Sequence, residues 1–303
     1  MAGTRVLFVD IDATLVDHFG RIPVSAVSAI RAARQQGHQV MLATGRSAHD
    51  IWPEVWQVGF DGAVAASGAQ VIVDGEQILC RTLTADQLGR VSDFFGGGVG
   101  EYCLQGVGMT WVTPGAAAIL RGLCEERIAE GAERTVVERG SFGFLATMQV
   151  GVLPVAGPVA KVGYFGAAVP LADIEAAFDD FAVVPAARES GGVSAGEMVD
   201  RGVSKASGVA AVLAHLGADR ADAVALGDSA NDIEMLAYVG TGVAMGNAPR
   251  SVRAAADLVV ASPCQGGVAQ ALRTVGALAP APVGWRGRRN TVKGPHAAQG
   301  SVH

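Results

Sequence analysis

The stretch Val6-Leu7-Phe8-Val9-Asp10-Ile11-Asp12-Ala13-Thr14-Leu15 decides the predicted fold of this chain. Its first four residues are apolar, which is typical of a strand buried on both faces of a parallel sheet. Asp10 ends this strand at the edge where open α/β sheets bind ligands. Asp12 lies on the same side of an extended chain, so the two carboxylates repel each other unless a cation lies between them. The D-x-D triplet alone is weak evidence for chemistry, because such triplets are common in loops.

Other predicted elements carry polar residues to the same edge of this sheet. Residues 40–43 form a short apolar strand that ends in Thr44, and residues 223–226 form another that ends before Asp228. Because a strand, a helix and a strand in succession imply a parallel pair with a right-handed crossover, these strand ends meet at one edge. Lys205 begins a predicted helix before the later strand.

Each of these polar residues also has an ordinary structural explanation. Thr44 could cap a helix, and Lys205 could be a solvent-exposed lysine. Asp228, Asn231 and Asp232 could complement the N-terminus of a helix. All of these explanations must hold together, however, at the C-terminal strand edges of one sheet. The joint pattern therefore favours a functional site.

The pattern of the chain changes twice, which predicts two domains. A length of 303 residues suits about two domains. Short strands and helices follow one another after residue 83, as in an α+β module that is inserted into the first domain. The predicted fold class is therefore α/β, a Rossmann-like parallel sheet with an inserted α+β domain. The predicted bounds are 1–82 and 189–275 for the first domain, 83–188 for the insert and 276–303 for a tail.

Local patterns predict further elements. We expect a helix over 83–95 with Thr84 as its N-cap, and a strand over 142–152. A helix is expected to carry Trp52 and Trp56, whose i,i+4 spacing indicates core packing rather than a cofactor site. The tail lacks periodicity and is predicted to be disordered and solvated rather than a basic arm for an acidic partner. It has no acidic residue and four basic ones, Arg286, Arg288, Arg289 and Lys293.

Composition excludes several classes of function. The formal net charge is −6, whereas proteins that bind nucleic acid typically carry a basic surface. No apolar run approaches the roughly 18 residues that a membrane span needs. No cysteine pair has the C-x-x-C spacing of a zinc knuckle or a redox motif. We therefore expect a cytoplasmic protein with neither a nucleic acid nor a membrane as its partner.

Four sequence motifs resemble those of the haloacid dehalogenase (HAD) superfamily, in the Cof-like branch of sugar-phosphatase-type enzymes with a large α+β cap. In chain order they are D-x-D-x-T-L at 10–15, A-T-G-R at 43–46, G-V-S-K at 202–205 and G-D-x-x-N-D-x-x-M at 227–235. The run G-V-A-M-G-N-A at 242–248 is also typical of this branch. The resemblance covers about residues 5–275, and it identifies the insert as the cap.

The resemblance implies a role for each site residue. Asp10 would be the nucleophile that forms an aspartyl phosphate, and Asp12 would be the general acid and base. Mg²⁺ would be held by the side chains of Asp10 and Asp228 and by the main-chain carbonyl of Asp12. Asp232 would orient Lys205 or a metal-bound water, and Arg46 would meet the substrate or the cap. The residues that would bind the substrate phosphate are Thr44, Gly45, Lys205 and Asn231.

Two departures from the family pattern and three hypotheses of function remain. Ala13 stands where the family usually has Gly, and Ser67 stands where the branch often has an Asn, which puts substrate preference in question.

The first hypothesis is a Mg²⁺-dependent phosphatase acting on a small phosphorylated metabolite, such as a sugar phosphate. The second is a phosphotransferase or sugar phosphomutase with the same intermediate. The third is a non-catalytic binding or regulatory protein of the same fold.

Overall fold

A computed structural model describes residues 3–140, 142–185 and 194–278 of the chain. Within these residues the strands are, in chain order, β1 (Val6–Val9), β2 (Gln39–Ala43), β3 (Gly62–Ala65), β4 (Gln70–Val73), β5 (Glu76–Cys80), β6 (Glu101–Gly106), β7 (Thr110–Val112), β8 (Gln149–Val150), β9 (Val159–Ala167), β10 (Phe181–Pro185), β11 (Ser194–Asp200), β12 (Ala223–Gly227), β13 (Thr241–Ala244) and β14 (Leu258–Val259). The α-helices are α1 (Val24–Gln35), α2 (Pro53–Gly59), α3 (Ala85–Phe94), α4 (Pro114–Ala129), α5 (Arg134–Arg139), α6 (Leu171–Ala177), α7 (Lys205–Leu216), α8 (Ile233–Tyr238), α9 (Arg250–Ala255) and α10 (Gly267–Thr274).

The first sheet has eight strands in the order β14-β13-β12-β1-β2-β3-β4-β5. The six strands from β14 to β3 run parallel, and β4 and β5 form an antiparallel hairpin at one edge. Leu7 and Val9 pack against α1, α2 and α10 on one face, whereas Val6 and Phe8 pack against α7 and α8 on the other. Burial on both faces explains why β1 is uniformly apolar, and it confirms the predicted α/β class.

The strand order brings three polar strand ends together. β1 lies between β12 and β2, so the residues that follow these three strands are neighbours at one edge. The main-chain N–H of Asp10 donates to the carbonyl of Leu226, 3.0 Å away, and that of Thr44 donates to Val64 at 2.8 Å. The parallel ladder therefore extends to these residues and holds their backbones at the carboxyl edge of the sheet.

The second sheet has six strands in the order β10-β11-β9-β6-β7-β8. Its apolar face packs against α3 and α6 through a cluster that includes Tyr164, Phe178 and Met198. The prediction assigned residues after 188 to the first domain, and for β11 this boundary was wrong. β11 pairs with both β9 and β10, because the buried side chain of Met198 completes the apolar face of the second sheet. The remaining predicted domain bounds stay predictions.

Local predictions had mixed outcomes. Thr84 does cap α3, because its Oγ1 accepts a hydrogen bond from the N–H of Gln87 at 3.2 Å. The strand predicted over 142–152 was wrong, since this segment forms a helical turn at Gly143–Ala146 and only the two-residue strand β8. α2 begins at Pro53, a residue suited to the first helical position, so Trp52 precedes the helix instead of lying in it.

Two predictions concern surroundings rather than folding. No helix among the described residues is long and apolar enough to cross a membrane. The cytoplasmic location expected from the sequence stays a prediction. The four basic residues of the predicted tail lie outside the described residues.

Candidate active site

Lys205 joins two buried carboxylates at the centre of the site. Its Nζ lies 2.8 Å from Oδ1 of Asp10 and 2.6 Å from Oδ1 of Asp232, and all three side chains are buried. Burial lowers the pKa of Lys205, but the two carboxylates outweigh this effect and the net pKa lies above its ordinary value. Burial raises the pKa of Asp10 well above its ordinary value, and the ammonium of Lys205 opposes that shift. The ion pair is thus what favours the ionised form of Asp10.

The start of α7 is fixed by its N-cap. Ser204 Oγ accepts from the N–H of Ser207 at 3.3 Å, and Ser207 Oγ accepts from the N–H of Ser204 at 3.0 Å. Gly68 lies against this turn with φ +105°, and a Cβ on Gly68 would overlap the carbonyl oxygen of Ser204. Only glycine suits this position, because it tolerates both the backbone conformation and the close approach. The loop after β3 can therefore pack against the turn that begins α7 and presents Lys205.

The turn after β12 orients Asp232. Its Oδ2 accepts hydrogen bonds from the main-chain N–H groups of Asp228 and Ser229, each at 2.9 Å. Gly227 provides the space, because a Cβ there would overlap the carboxylate of Asp232. Since its Oδ1 accepts from Lys205, both oxygens of Asp232 have partners within the protein.

Asp228 has neutral hydrogen-bond partners. Its Oδ1 accepts from Thr14 Oγ1 at 3.1 Å, and its Oδ2 accepts from Asn247 Nδ2 at 3.2 Å. Burial, with the nearby charge of Asp232, raises the pKa of Asp228 to about 7. Asp228 is therefore a carboxylate whose negative charge a further cation would stabilise.

Asp12 forms a bidentate ion pair with Arg46. Nε and Nη2 of Arg46 each lie 2.7 Å from one oxygen of Asp12, and the guanidinium lies over the ring of Trp52 with its Cζ 4.9 Å from the centroid. Desolvation raises the pKa of Asp12, but the charge and hydrogen bonds of Arg46 outweigh it and hold the pKa below its ordinary value. Arg46 was predicted to meet the substrate or the cap, whereas in this structure it binds the predicted general acid.

The predicted phosphate-binding residues differ in their access to solvent. Thr44 is fully buried, and its Oγ1 accepts from the main-chain N–H of Arg46 at 3.1 Å. Lys205 is also buried, whereas Gly45 and Asn231 line a cleft together with Asp10 and Asp12. Asn231 is held by Ser229 Oγ, which donates to its Oδ1 at 2.8 Å. Ser67 lies at a smaller pocket behind Lys205 rather than in the cleft.

Comparison with known proteins assigns the family. A sequence model of the haloacid dehalogenase-like hydrolases matches residues 7–272. The chain belongs to this family. It is 28% identical over 281 residues to YkrA of Bacillus subtilis (strain 168), to which a phosphatase activity is provisionally attributed, with 91% of this chain and 99% of YkrA covered. It is 23% identical over 269 residues to a phosphoglycolate phosphatase of Methanothermobacter thermautotrophicus, with 89% of this chain and 97% of that protein covered.

Solved structures show the same fold. A hypothetical protein from Geobacillus kaustophilus HTA426 is 26% identical to this chain and superposes on it with a TM-score of 0.74. The superposition covers 91% of this chain and 100% of the Geobacillus protein. The HAD subclass IIB sugar phosphatase BT4131 is 23% identical, with a TM-score of 0.72 and the same coverage. The α/β fold of the HAD-like hydrolases, expected from the four motifs, is confirmed.

The residues of this HAD-like hydrolase fit a divalent cation. Oxygens of Asp10, Asp228 and Asp232 lie within 4.8 Å of one another. Asp232 accepts from the ammonium of Lys205, whereas both partners of Asp228 are neutral side chains. This difference favours Asp228 over Asp232 as a side-chain ligand beside Asp10, as the resemblance implies. Carboxylate oxygens are the ligands that Mg²⁺ prefers, and a dication would offset the burial and the repulsion from Asp232 that raise the pKa of Asp228.

The cleft of this HAD-like hydrolase lies between the two sheets and has a volume of about 730 Å³. The cap contributes residues to it that the sequence analysis did not assign, among them Gln105, Lys161 and Glu197. The sequence did contain one indication that Lys161 has a special role, because this lysine interrupts the otherwise apolar start of β9. A lysine in a buried strand indicates a specific partner, but the sequence does not say which one.

Proposed function

We propose that this HAD-like hydrolase is a Mg²⁺-dependent phosphatase that hydrolyses a small phosphorylated metabolite through an aspartyl phosphate. The observation that carries the proposal is that Asp10 and Asp12 line one cleft while each is paired with its own cation, Lys205 or Arg46. One carboxylate is buried and kept ionised as a nucleophile. The other lies two residues away at the cleft surface, where a leaving group can meet it.

The proposed reaction has two steps. An oxygen of Asp10 attacks phosphorus, the P–O bond to the alcohol breaks, and Asp12 gives a proton to the departing oxygen. Water then attacks the aspartyl phosphate while Asp12 accepts a proton, and inorganic phosphate leaves as the bond to Asp10 breaks. Asp12 ends with the proton it began with, so the cycle is balanced.

Lys205 acts on the reaction through the nucleophile. It is buried and bonded to Asp10, so its first role is to keep that carboxylate ionised and correctly oriented. Asp232 fixes Lys205 from the other side. As negative charge shifts from Asp10 onto the phosphoryl oxygens, the same ammonium stabilises it. Thr44, Gly45 and Asn231 are the proposed neighbours of those oxygens.

Arg46 must change partners during this cycle. A carboxylate held by a bidentate guanidinium cannot donate a proton, and the pKa of Asp12 is lowered in this structure. We propose that the dianionic phosphate ester draws Arg46 away from Asp12, because the guanidinium binds phosphate in the same bidentate manner. Release of Arg46 raises the pKa of Asp12 when the substrate is in place.

The metal would be held by Asp10, Asp228 and the main-chain carbonyl of Asp12. A phosphate monoester is a dianion, and in this site four carboxylates (Asp10, Asp12, Asp228 and Asp232) face two cationic side chains. Mg²⁺ supplies the positive charge that lets the dianion approach these carboxylates. A phosphatase assignment is supported by three similar proteins that are named as phosphatases: YkrA, the phosphoglycolate phosphatase and the sugar phosphatase BT4131.

The test is release of inorganic phosphate from a panel of phosphorylated sugars, nucleotides and cofactors. EDTA should abolish activity and Mg²⁺ should restore it. Asp10→Asn should be inactive with every ester, whereas the control Asp173→Asn, at an exposed position on α6, should match the wild type. Asp228→Asn should raise the Mg²⁺ concentration needed for half-maximal activity far more than it lowers stability. Full activity in metal-free buffer would contradict the metal assignment.

A phosphotransferase or phosphomutase with the same intermediate is the second candidate. Product analysis separates the two, because a mutase conserves ester phosphate while a phosphatase releases it. A non-catalytic relative would usually have lost a motif residue, and Asp10, Asp12, Lys205 and Asp228 are all present in this chain.

A further inference from the structure

The cap presents two aromatic side chains to the cleft. Phe142 precedes the helical turn Gly143–Ala146, Phe144 lies within it, and both rings line the cleft and are partly exposed. Their planes are inclined by 25°, and their centroids are 6.4 Å apart. Because the planes are nearly parallel, a flat group in the cleft can lie parallel to both rings.

Main-chain hydrogen bonds fix the turn that carries these rings. The N–H of Phe142 donates to the carbonyl of Val137 at 3.0 Å, and the carbonyl of Phe144 accepts from the N–H of Met148 at 2.9 Å. Phe142 also packs against an apolar cluster that includes Val137, and Phe144 packs against another that includes Leu120. The rings are therefore held in place before any ligand binds.

The wall that these rings form is apolar along its length. Residues 142–146 carry no polar side chain, and Leu120 on α4 and Val16 also line the cleft. Polar groups that face such a wall lose their hydrogen bonds to water without replacement. An apolar surface that is open to water gains free energy when an apolar group covers it. The wall therefore favours an apolar part of the substrate over a part that carries hydroxyl groups.

This wall begins beside the proposed general acid. Gly140 lies against the ring of Trp52, since a Cβ on Gly140 would be 3.5 Å from Cε2 of that ring. Trp52 also contacts the guanidinium of Arg46, which binds both oxygens of Asp12. Phe142 follows Gly140 by two residues. An alcohol that takes its proton from Asp12 thus departs at the end of the cleft where the aromatic wall starts.

An aromatic ring suits two phenylalanines better than a saturated ring does. Aromatic rings attract one another beyond the effect of their buried area when their centroids are about 4.5–7 Å apart in an offset-stacked or edge-to-face arrangement. A saturated ring lacks this interaction, and its hydrogens prevent flat stacking. Phe142 and Phe144 already lie at such a separation, so a third ring extends an arrangement that is present in the free protein.

We propose that Phe142 and Phe144 form a stacking platform for the leaving group, and that the substrate is a phosphate ester whose alcohol carries a planar aromatic ring. This inference rests on the proposed phosphatase function. The phosphate group lies at Asp10, the ring lies against the two phenylalanines, and the alcohol leaves with the proton from Asp12. The platform selects against sugar phosphates, because hydroxyl groups that face it lose their water without gaining a hydrogen-bond partner.

Two esters test the platform with little change in size or connectivity. Benzyl phosphate and cyclohexylmethyl phosphate both release a primary alcohol whose hydroxymethyl group is attached to a six-membered carbon ring, and only the first ring is flat and aromatic. With wild-type enzyme and Mg²⁺, kcat/KM for benzyl phosphate should exceed that for cyclohexylmethyl phosphate by about 3- to 10-fold, the scale of one aromatic contact. Glucose 6-phosphate should be a poorer substrate than benzyl phosphate.

Variants separate stacking from the slightly better leaving group of the benzyl ester. Phe142→Leu and Phe144→Leu keep an apolar side chain and remove a ring, so each should lower the ratio of the two kcat/KM values by about 2- to 3-fold. Phe144→Tyr keeps the ring and should keep the ratio. The control Phe94→Leu changes a partly exposed ring on α3, which packs against the other face of the cap sheet, and should also keep the ratio. Partial unfolding of a variant lowers both rates alike and leaves the ratio unchanged.

The outcomes separate the platform from the proposed function. If the wild-type enzyme hydrolyses the two ring esters equally well, or if the double variant Phe142→Leu/Phe144→Leu keeps the wild-type ratio, the platform is refuted and the phosphatase stands. The same holds if glucose 6-phosphate, or another ester without an aromatic ring, is a better substrate than benzyl phosphate. If no phosphate is released from these esters or from the wider panel, the phosphatase is refuted and the platform with it.

Discussion

Replacement of Lys205 by methionine should strongly destabilise the protein. The ammonium lies 2.8 Å from Asp10 and 2.6 Å from Asp232, and all three groups are buried. Methionine keeps most of the apolar stem and removes the charge. Removing one partner of a buried ion pair leaves an uncompensated charge, which costs about 3–5 kcal/mol. Because two carboxylates lose their cation here, we expect the free energy of unfolding to fall by at least the lower end of that range.

The pH dependence of the loss identifies its cause. Burial already raises the pKa of Asp10, and without Lys205 nothing opposes that shift, so the pKa of Asp10 in the folded protein rises further above its unfolded value. An acid whose pKa is raised by folding destabilises the ionised folded state. The loss of stability is therefore full only above the raised pKa of Asp10, and it shrinks as the pH falls through that pKa. The double variant Lys205→Met/Asp232→Asn should recover part of the loss at neutral pH, because one of the unpaired charges is gone.

The measurement is urea unfolding in metal-free buffer, followed by far-ultraviolet circular dichroism at neutral and mildly acidic pH. The control Arg250→Met removes an exposed cation at the start of α9 and should change stability by less than about 0.5 kcal/mol. A change that small for Lys205→Met, or a loss that does not depend on pH, would refute the conclusion that Lys205 keeps the two carboxylates ionised.

Three further predictions concern the acid, a glycine and the cap. Asp12→Asn should slow hydrolysis of an alkyl phosphate by about 10²–10⁴-fold, but should give a stoichiometric burst of nitrophenol from p-nitrophenyl phosphate and leave phosphate on the nucleophile, as rapid-quench mass spectrometry would show. Gly68→Ala should lower the unfolding temperature more than Gly75→Ala, since both glycines have positive φ but only the first would overlap neighbouring backbone. Phe19 packs against an apolar cluster of the cap, so Phe19→Ala should raise KM. The control Val24→Ala, at an exposed site, should leave KM unchanged. Equal KM values for the two variants would argue against a closed cap.

The sequence by itself determined where three strands of the first sheet end and which polar groups follow them. Uniformly apolar runs before Asp10, Thr44 and Asp228 predict strands buried on both faces, and parallel strands must present their carboxyl ends at one edge. That argument brings together residues far apart in the chain without any coordinates. It is robust because it depends on burial and chain direction, which short apolar runs encode locally.

Only the tertiary structure decided how the side chains pair. Asp12 binds Arg46, and Lys161 of the cap reaches the carbonyl of Gly45, 116 residues earlier in the chain. The boundary of the cap also depends on β11, which joins the second sheet although it follows the predicted end of the insert. These outcomes depend on strand register and on how the two sheets dock. Neither is encoded in a local pattern, since each residue involved has several partners of suitable charge and only the packed chain selects one.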